Sequence, residues 1–113
     1  MLKNLKDFLE MQKDLDNYIL TNKSGIIDKR QLLADTILGM SVEVGEYANT
    51  TRCFKHWSNK PPDFKHIRLE EFVDIFFFWL SIANQEKFTD EDIEEAYLNK
   101  LRTNYNRANN KNY

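Results

Sequence analysis

The sequence predicts an all-α fold, a four-helix-type bundle that assembles as an oligomer. Three Gly and two Pro among 113 residues are too few for the frequent turns of an all-β domain, so the composition favours long helices. Apolar residues make up 42% of the chain and charged residues 30%, as in globular rather than disordered proteins. The length predicts one domain over residues 1–113, and a chain this short gains stability by association with a second copy.

Four segments of the chain have apolar side chains at three- and four-residue steps, the spacing of one helix face. We expect helices over residues 2–20, 28–54, 67–84 and 89–108. Asp28 with Gln31, and Thr89 with Asp92, have the spacing of a capping box, so each pair marks the start of a helix. The Pro61-Pro62 pair excludes a continuous helix between the second and third segments, because proline fixes the backbone and lacks a donor.

The centre of the third predicted helix, residues 72–80, is apolar nearly all round. A helix of this kind in a globular protein is covered on most of its sides. A chain of 113 residues has few other elements to cover it. We therefore expect a partner subunit to contribute, in a homodimer or a homotetramer.

Charge and cysteine content limit the classes of partner. The 16 basic and 18 acidic residues give a formal charge of −2, which disfavours a binder of nucleic-acid polymers, since these need a basic excess. The single cysteine, Cys53, cannot form an internal disulfide, as is usual in reducing compartments. Charged residues stand where a signal peptide would be apolar, and the longest apolar stretch, residues 75–83, is about half a membrane span. We expect a cytoplasmic protein with no membrane partner.

Two pairs of acidic residues, Glu43-x-x-Glu46 and Glu71-x-x-Asp74, fall on helix faces that are otherwise apolar. One such pair alone is most often ordinary solvated helix surface. Two pairs that both intrude on apolar faces are different, because an ionised carboxylate is costly there unless it is paired or bound to a metal. All-oxygen ligation favours Mg²⁺ or Mn²⁺ over Zn²⁺.

A second set of residues, on the fourth predicted helix, has the chemistry of a phosphate site. Tyr97, Lys100, Asn104 and Arg107 are spaced so that they form a stripe down one side of the helix. Such a stripe is usually just solvated, but cations opposite metal-binding carboxylates describe a site for a polyphosphate. The sequence has no glycine-rich phosphate loop, which excludes a P-loop enzyme, and no Glu-x-x-His, which argues against a di-iron bundle.

The linker after the second predicted helix carries an aromatic ring and cations. Trp57 has a ring that can stack on a nucleobase or anchor a core or an interface, and the residues alone leave both open. Lys55 and Lys60 are long enough to reach a phosphate.

Together these segments resemble the all-α NTP pyrophosphatase superfamily (MazG-like proteins), and most closely the phage and bacterial dimeric-type dUTPases. The matching motifs run in family order across nearly the whole chain: Met11-Gln12-Lys13-Asp14-Leu15-Asp16, Glu43-Val44-Gly45-Glu46-Tyr47-Ala48-Asn49, Arg52-Cys53-Phe54-Lys55-His56-Trp57-Ser58, Leu69-Glu70-Glu71-Phe72-Val73-Asp74 and Tyr97-x-x-Lys100-x-x-x-Asn104-x-x-Arg107. The resemblance implies an enzyme that hydrolyses dUTP to dUMP and diphosphate.

The resemblance also implies a role for each matching residue. The Mg²⁺ ligands would be Glu43, Glu46, Glu71 and Asp74. Either Glu43 or Glu46 would orient or deprotonate the attacking water. The phosphate contacts would be Lys55, Lys100, Asn104, Arg107 and Tyr113. The base contacts would be Gln12, Asp16 and Trp57.

One departure from the family pattern leaves the base preference open. Dimeric dUTPases often have Val-Asp-Gly-Leu-His-Phe at the third helix, whereas this chain has Val73-Asp74-Ile75-Phe76-Phe77-Phe78, with Phe77 in place of the histidine. One alternative keeps the chemistry and changes the base, as a dCTP or broad-specificity MazG-like pyrophosphatase. The other alternative is a non-catalytic helical interaction module.

Overall fold

Helices account for nearly all of the regular structure in the computed structural model, which describes residues 2–23, 25 and 27–110. The helices are α1 (Leu5–Thr21), α2 (Lys29–Thr51), α3 (Lys65–Gln85) and α4 (Asp90–Asn109). Over these described residues the chain has four helices and no strand, so the predicted all-α, four-helix fold class is confirmed.

Capping residues determine where the helices begin. Asn4 and Asp7 form a capping box, which starts α1 at Leu5, three residues later than predicted. The predicted capping box of Thr89 and Asp92 is confirmed at the start of α4. Asp28 is the N-cap of α2, but its side chain accepts from the backbone of Arg30.

The capping box predicted at the start of α2 is therefore only half correct: Asp28 caps the helix, but Gln31 does not take part. Gln31 does not reach back to Asp28; its side-chain nitrogen donates to Asp35 at 2.7 Å, one turn further along the helix. The end of α2 also differs from the prediction. The helix ends at Thr51 rather than residue 54, because Arg52 adopts a left-handed conformation with φ of 62°.

The linker between α2 and α3 folds back on the helices that it joins. The backbone N–H of Asp63 donates to Thr50 at 2.9 Å, and Arg52 forms an ion pair with Asp63 at 3.5 Å. Arg68 donates to the backbone carbonyl of Asp63 at 3.0 Å. These contacts connect the last turn of α2 to the first turn of α3, so the two helices run antiparallel, and the Pro61-Pro62 segment is non-helical, as predicted.

The core of the single chain is small. Leu9, Leu80 and Ala83 are its buried apolar residues, and Leu5, Phe76 and Ile93 pack around them. The centre of α3, which we expected to be covered, is partly open in the described chain, with Phe72 exposed by 55% and Phe77 by 42%. An oligomer that covers this face stays a prediction. Within the described residues no helix is both long and apolar enough to cross a bilayer.

Candidate active site

Antiparallel packing of α2 and α3 brings the predicted carboxylates together. Oxygen atoms of Glu43, Glu46 and Glu71 all lie within 4.8 Å of one another. Glu43 and Glu71 are half-buried and Glu46 is exposed. The three residues form a carboxylate cluster, named so below, with two members from α2 and one from α3.

Two oxygens of the carboxylate cluster have no partner among the residues that the structure describes. Oε2 of Glu43 and Oε2 of Glu71 are buried, and neither has a hydrogen bond to any described residue. Burial, followed by the charge of Glu46, raises the pKa of Glu43. Burial, again followed by the charge of Glu46, raises the pKa of Glu71. The cluster therefore has free ligand atoms and unrelieved repulsion between negative charges.

Asp74 lies beside the carboxylate cluster without joining it. It is half-buried on α3, one turn beyond Glu71, and is not among the carboxylates within 4.8 Å of one another. Its charge nevertheless helps to raise the pKa of both Glu43 and Glu71, so it lies close enough to repel them. Glu71 and Asp74 also line a cavity of about 450 Å³, all of whose lining residues belong to α3.

A separate cavity of about 470 Å³ lies between α1, α2 and α3, and we refer to it as the large cavity. Gln12 and Asp16, the predicted base contacts of α1, both line it. The side-chain nitrogen of Gln12 donates to Asp16 at 2.9 Å, and Gln12 is only 6% exposed. Phe77 and Phe78 of α3 supply aromatic surface on the opposite wall. A pocket that is mostly apolar with a few fixed polar groups is typical of a site for a small ligand.

The large cavity and the carboxylate cluster share helix faces. Thr36 lines the cavity and precedes Glu43 by seven residues on α2, while Phe78 follows Glu71 by the same interval on α3. Seven residues are close to two full turns, or about 10 Å of helix, so each pair points to the same side. The two features therefore lie at two positions along one α2–α3 surface.

The linker side chains predicted to contact substrate lie outside the large cavity. Trp57 is 67% exposed and packs edge-on against Phe54 and His56, with ring centroids at 6.3 and 5.1 Å. Lys55 is half-buried, and its Nζ lies 5.7 Å from the centre of the Phe54 ring. These residues sit beyond the C-terminal end of α2 and are not in the lining of the cavity.

The predicted phosphate stripe of α4 lies apart from the carboxylates. Among the described residues the backbone of α4 comes close to α1 and to no other helix, although Ile93 near its start packs against the core of Leu9, Leu80 and Ala83. Lys100 and Arg107 are exposed and Asn104 is half-buried. Tyr113, the remaining predicted phosphate contact, lies outside the described residues. The fold of one chain thus brings together the carboxylates of α2 and α3 but does not add the stripe to them.

Comparison with known proteins decides the family. A family model described as dUTPase matches residues 4–90, which include the carboxylate cluster and the polar residues of α1. The chain belongs to the dUTPase family. It is thereby a nucleotide pyrophosphohydrolase of the dUTP diphosphatase type, and the alternative of a non-catalytic interaction module is set aside. No curated protein matches the chain.

The match to the dUTPase family model covers α1 to α3 and ends at the start of α4. The match ends at residue 90, so Lys100, Asn104 and Arg107 lie beyond it. The roles predicted for individual residues, in the cluster as well as in the stripe, stay predictions.

The sequence analysis assigned no role to six polar or charged residues of the large cavity: Lys13, Asn17, Thr36, Ser81, Asn84 and Gln85. Asn84 donates to the backbone carbonyl of Leu9 at 2.9 Å, which ties α3 to α1. A signal for two of them was present in the sequence. Thr36 and Ser81 are each seven residues from an acidic residue of the metal motifs, Glu43 and Asp74, and so share its helix face.

Proposed function

We propose that this protein hydrolyses dUTP to dUMP and diphosphate, with Mg²⁺ bound by the carboxylates of α2 and α3. The observation that carries the proposal is the carboxylate cluster, in which Glu43 and Glu71 each have a buried oxygen with no hydrogen-bond partner in the described part of the chain. The dUTPase family match over residues 4–90 supplies the substrate class.

The residues of the carboxylate cluster fit a divalent cation. Every donor atom is a carboxylate oxygen, which suits Mg²⁺ and also Mn²⁺. Buried like charges would repel one another without a cation, whereas a bound cation offsets their repulsion and satisfies the orphaned oxygens. Glu43, Glu46 and Glu71 would hold the ion, and Asp74, one turn along α3, would complete the set.

When bound, Mg²⁺ offsets the charge of the triphosphate and favours ionisation of water. The protein side chains supply the remaining parts of the reaction. Glu43 is the proposed proton acceptor, because it is half-buried in the carboxylate cluster, next to the position that the ion would occupy. Glu46, which is exposed at the edge of the cluster, orients the water. Water adds across the anhydride between the α- and β-phosphates, and that bond breaks to give dUMP and diphosphate.

The large cavity is the proposed site for the base and sugar. It lies about two helical turns from the carboxylate cluster, or about 10 Å, which matches the reach from a base to the phosphates of one nucleotide. Gln12 and Asp16 offer hydrogen bonds there, and Phe77 and Phe78 offer ring surface. Uracil is the proposed base, and cytosine is the second candidate. Trp57, which is exposed in the linker, would close over the base only if the linker moves.

Phosphate contacts are proposed for Lys55 and for the α4 residues Lys100, Asn104 and Arg107, with Tyr113 beyond the described residues. Among the described residues of a single chain, the stripe is on a helix whose backbone does not come close to the α2–α3 pair that carries the carboxylate cluster. A homodimer or homotetramer in which α4 of one subunit approaches α2 and α3 of another would bring the two together. A single cysteine and a nucleotide substrate both favour a cytoplasmic location.

The test is an assay of diphosphate release from each dNTP and from UTP, with Mg²⁺ and with EDTA. We expect dUTP to be the preferred substrate and EDTA to abolish turnover. Glu43→Gln should lower kcat by about 10²-fold or more, since it removes a ligand and the base. Glu10→Gln is the matched control, because Glu10 is an exposed glutamate of α1 outside both features.

Two results would contradict the proposal. One is a faster turnover of dCTP than of dUTP, which would favour the second candidate. The other is an unchanged kcat in Glu43→Gln with the fold intact, as judged by circular dichroism. Titration of Mn²⁺ into both variants by calorimetry checks the metal separately, and only Glu43→Gln should weaken its binding.

A further inference from the structure

Three polar residues on the α2–α3 wall of the large cavity form a hydrogen-bonded group. Nε2 of Gln85 donates to Oγ1 of Thr36 at 2.9 Å and to Oγ of Ser81 at 3.3 Å. Thr36 is 7% exposed and Ser81 is 9% exposed, and Gln85 is half-buried. All three line the cavity, although neither the metal site nor the predicted base contacts include them.

Thr36 fixes the direction of the Gln85 carboxamide. A threonine hydroxyl has one hydrogen, and that of Thr36 is donated to the backbone carbonyl of Leu32 at 2.7 Å. The hydroxyl oxygen can therefore only accept a bond from Gln85, so the carboxamide must turn its nitrogen towards Thr36. Ser81 does not impose this choice, because its hydroxyl can donate as well as accept.

The fixed carboxamide leaves one atom of Gln85 for a ligand. Both hydrogens of Nε2 point to hydroxyl oxygens, so the nitrogen has no donor left. Oε1 has no hydrogen-bond partner among the described residues, and it is not one of their buried orphaned atoms, so it is an accessible acceptor on a residue that lines the cavity. Gln85 therefore presents an acceptor and no donor.

We propose that Gln85 is a specificity-determining residue of the large cavity, which accepts a hydrogen bond from an N–H group of the pyrimidine base, and that Thr36 is the positioning residue that locks this orientation. The proposal rests on the proposed function in one respect, since it takes the cavity to be the base site. Uracil offers its ring N3–H, and cytosine offers its exocyclic amino group. At each of these positions the other base has only an acceptor, so a locked acceptor distinguishes the two bases.

The experiment measures the binding of dUMP and of dCMP to the full chain by calorimetry, in EDTA, so that no turnover or metal site is required. The wild-type protein should prefer one of the two monophosphates. Gln85→Met removes the acceptor at similar volume and should weaken the preferred ligand about tenfold, with the other changed by less than about twofold. The preferred base identifies which N–H group Gln85 recognises.

The lock is tested separately by variants of Thr36. Thr36→Val removes the hydroxyl at similar volume and lets the carboxamide rotate, so the ratio of the two affinities should move towards one. Thr36→Ser keeps the hydroxyl and should keep the ratio. Thr103→Val is the matched control, because Thr103 makes the same bond to a carbonyl one turn back, at 3.1 Å to Asn99, on α4 and away from the cavity. Circular dichroism establishes that each variant is folded.

The outcomes separate this proposal from the proposed function. Equal binding of the two monophosphates by the wild type, no binding of either, or a ratio unchanged in both Gln85→Met and Thr36→Val would overturn the role of Gln85. A chain that cleaves dUTP while showing any of these results keeps its function and loses this specificity residue. A chain that releases no diphosphate but shows the expected ratios keeps the residue and loses the function.

Discussion

Glu43 illustrates what a single side chain contributes to this protein. One of its oxygens is buried without a partner, and burial and the charge of Glu46 raise its pKa. In the metal-free chain this arrangement opposes folding, because an ionised carboxylate loses water and gains only repulsion. The same features make the residue a good cation ligand, so local stability and the proposed chemistry are in conflict at this position.

The pH dependence of stability follows from the raised pKa values of Glu43 and Glu71. A carboxyl with a raised pKa binds its proton more tightly in the folded state than in the unfolded state. Metal-free protein should therefore lose stability as the pH rises from about 4, the ordinary glutamate value, through the raised folded-state values. Thermal melts in EDTA across this range check the sign, and Mg²⁺ should recover stability most at the upper end.

Comparison with variants isolates the contribution of the cluster from that of all other carboxyls. Glu43→Gln should flatten the decline in EDTA and remove most of the gain from Mg²⁺, whereas Glu10→Gln should leave both as in the wild type. A Glu43→Gln protein whose melting temperature falls more steeply with pH than that of the wild type would contradict the electrostatic explanation.

Some of the site was predictable residue by residue, and some was not. The carboxylates were predictable because acidic side chains on apolar helix faces cost free energy unless they are paired or bind a ligand. Gln12 was predicted from the family resemblance, and it is buried on α1, where it lines the large cavity. Gln85 was not, because its importance depends on a contact with Thr36, 49 positions away in the sequence. No periodicity within one helix reports a hydrogen bond between two helices.

The α2–α3 pair is the element on which the site depends, and Gly39 sets how closely its helices approach. A Cβ atom at Gly39 would collide with the ring of Phe78, which lines the large cavity. Gly45, six residues along the same helix, has open space around its Cα. Close packing against Phe78 therefore explains the glycine at position 39, whereas packing does not explain the glycine at position 45.

A pair of alanine substitutions tests this difference. Gly39→Ala should destabilise the protein by about 1–3 kcal/mol, because the Phe78 ring must move in a packed interface. Gly45→Ala, the matched control, should stabilise it by up to about 1 kcal/mol through helix propensity. Urea unfolding measures both changes. Equal effects of the same sign at the two positions would show that close packing at Gly39 is unimportant.

Helix starts and helix ends were predicted about equally well, each within three residues of the observed bounds, but for different physical reasons. The Thr89–Asp92 capping box follows from local side-chain chemistry, and the structure has it as predicted. The end of α2 depends on Arg52 in a left-handed conformation, which is unusual for a residue other than glycine. Arg52 also forms an ion pair with Asp63 at 3.5 Å, a contact across the linker that no local pattern reports.

At the scale of the whole molecule, the exposed apolar surface is the feature that remains unexplained by one chain. Phe72 on α3 is 55% exposed, and Leu98 on α4 is 57% exposed. The fold class and the family were predictable from composition and motifs, because these reflect local rules. The position of α4 was not, because the motif gives its stripe but not its neighbours.

Association of copies is the expected use of this surface. We predict a homodimer or homotetramer whose mass in sedimentation velocity falls on dilution, and Phe72→Gln should raise its dissociation constant about tenfold or more. Phe64→Gln is the control, since Phe64 is 77% exposed in the linker, stacked on His66 and away from the apolar centre of α3. A wild-type chain that is monomeric at every concentration would contradict the prediction.

The intervals from Thr36 to Glu43 on α2 and from Phe78 to Glu71 on α3 are equal, so the helix pair fixes one distance between the large cavity and the carboxylate cluster. The base and the phosphates of the substrate would both bind to the same two helices. The distance between the two binding positions would then be set by helical geometry rather than by a loop. One residue inserted into α2 between Met40 and Ser41 would rotate its two ends by about 100° relative to each other. Such a protein could bind a base or a metal ion, but it could not hold the base and the metal-bound phosphates of one nucleotide at the same time.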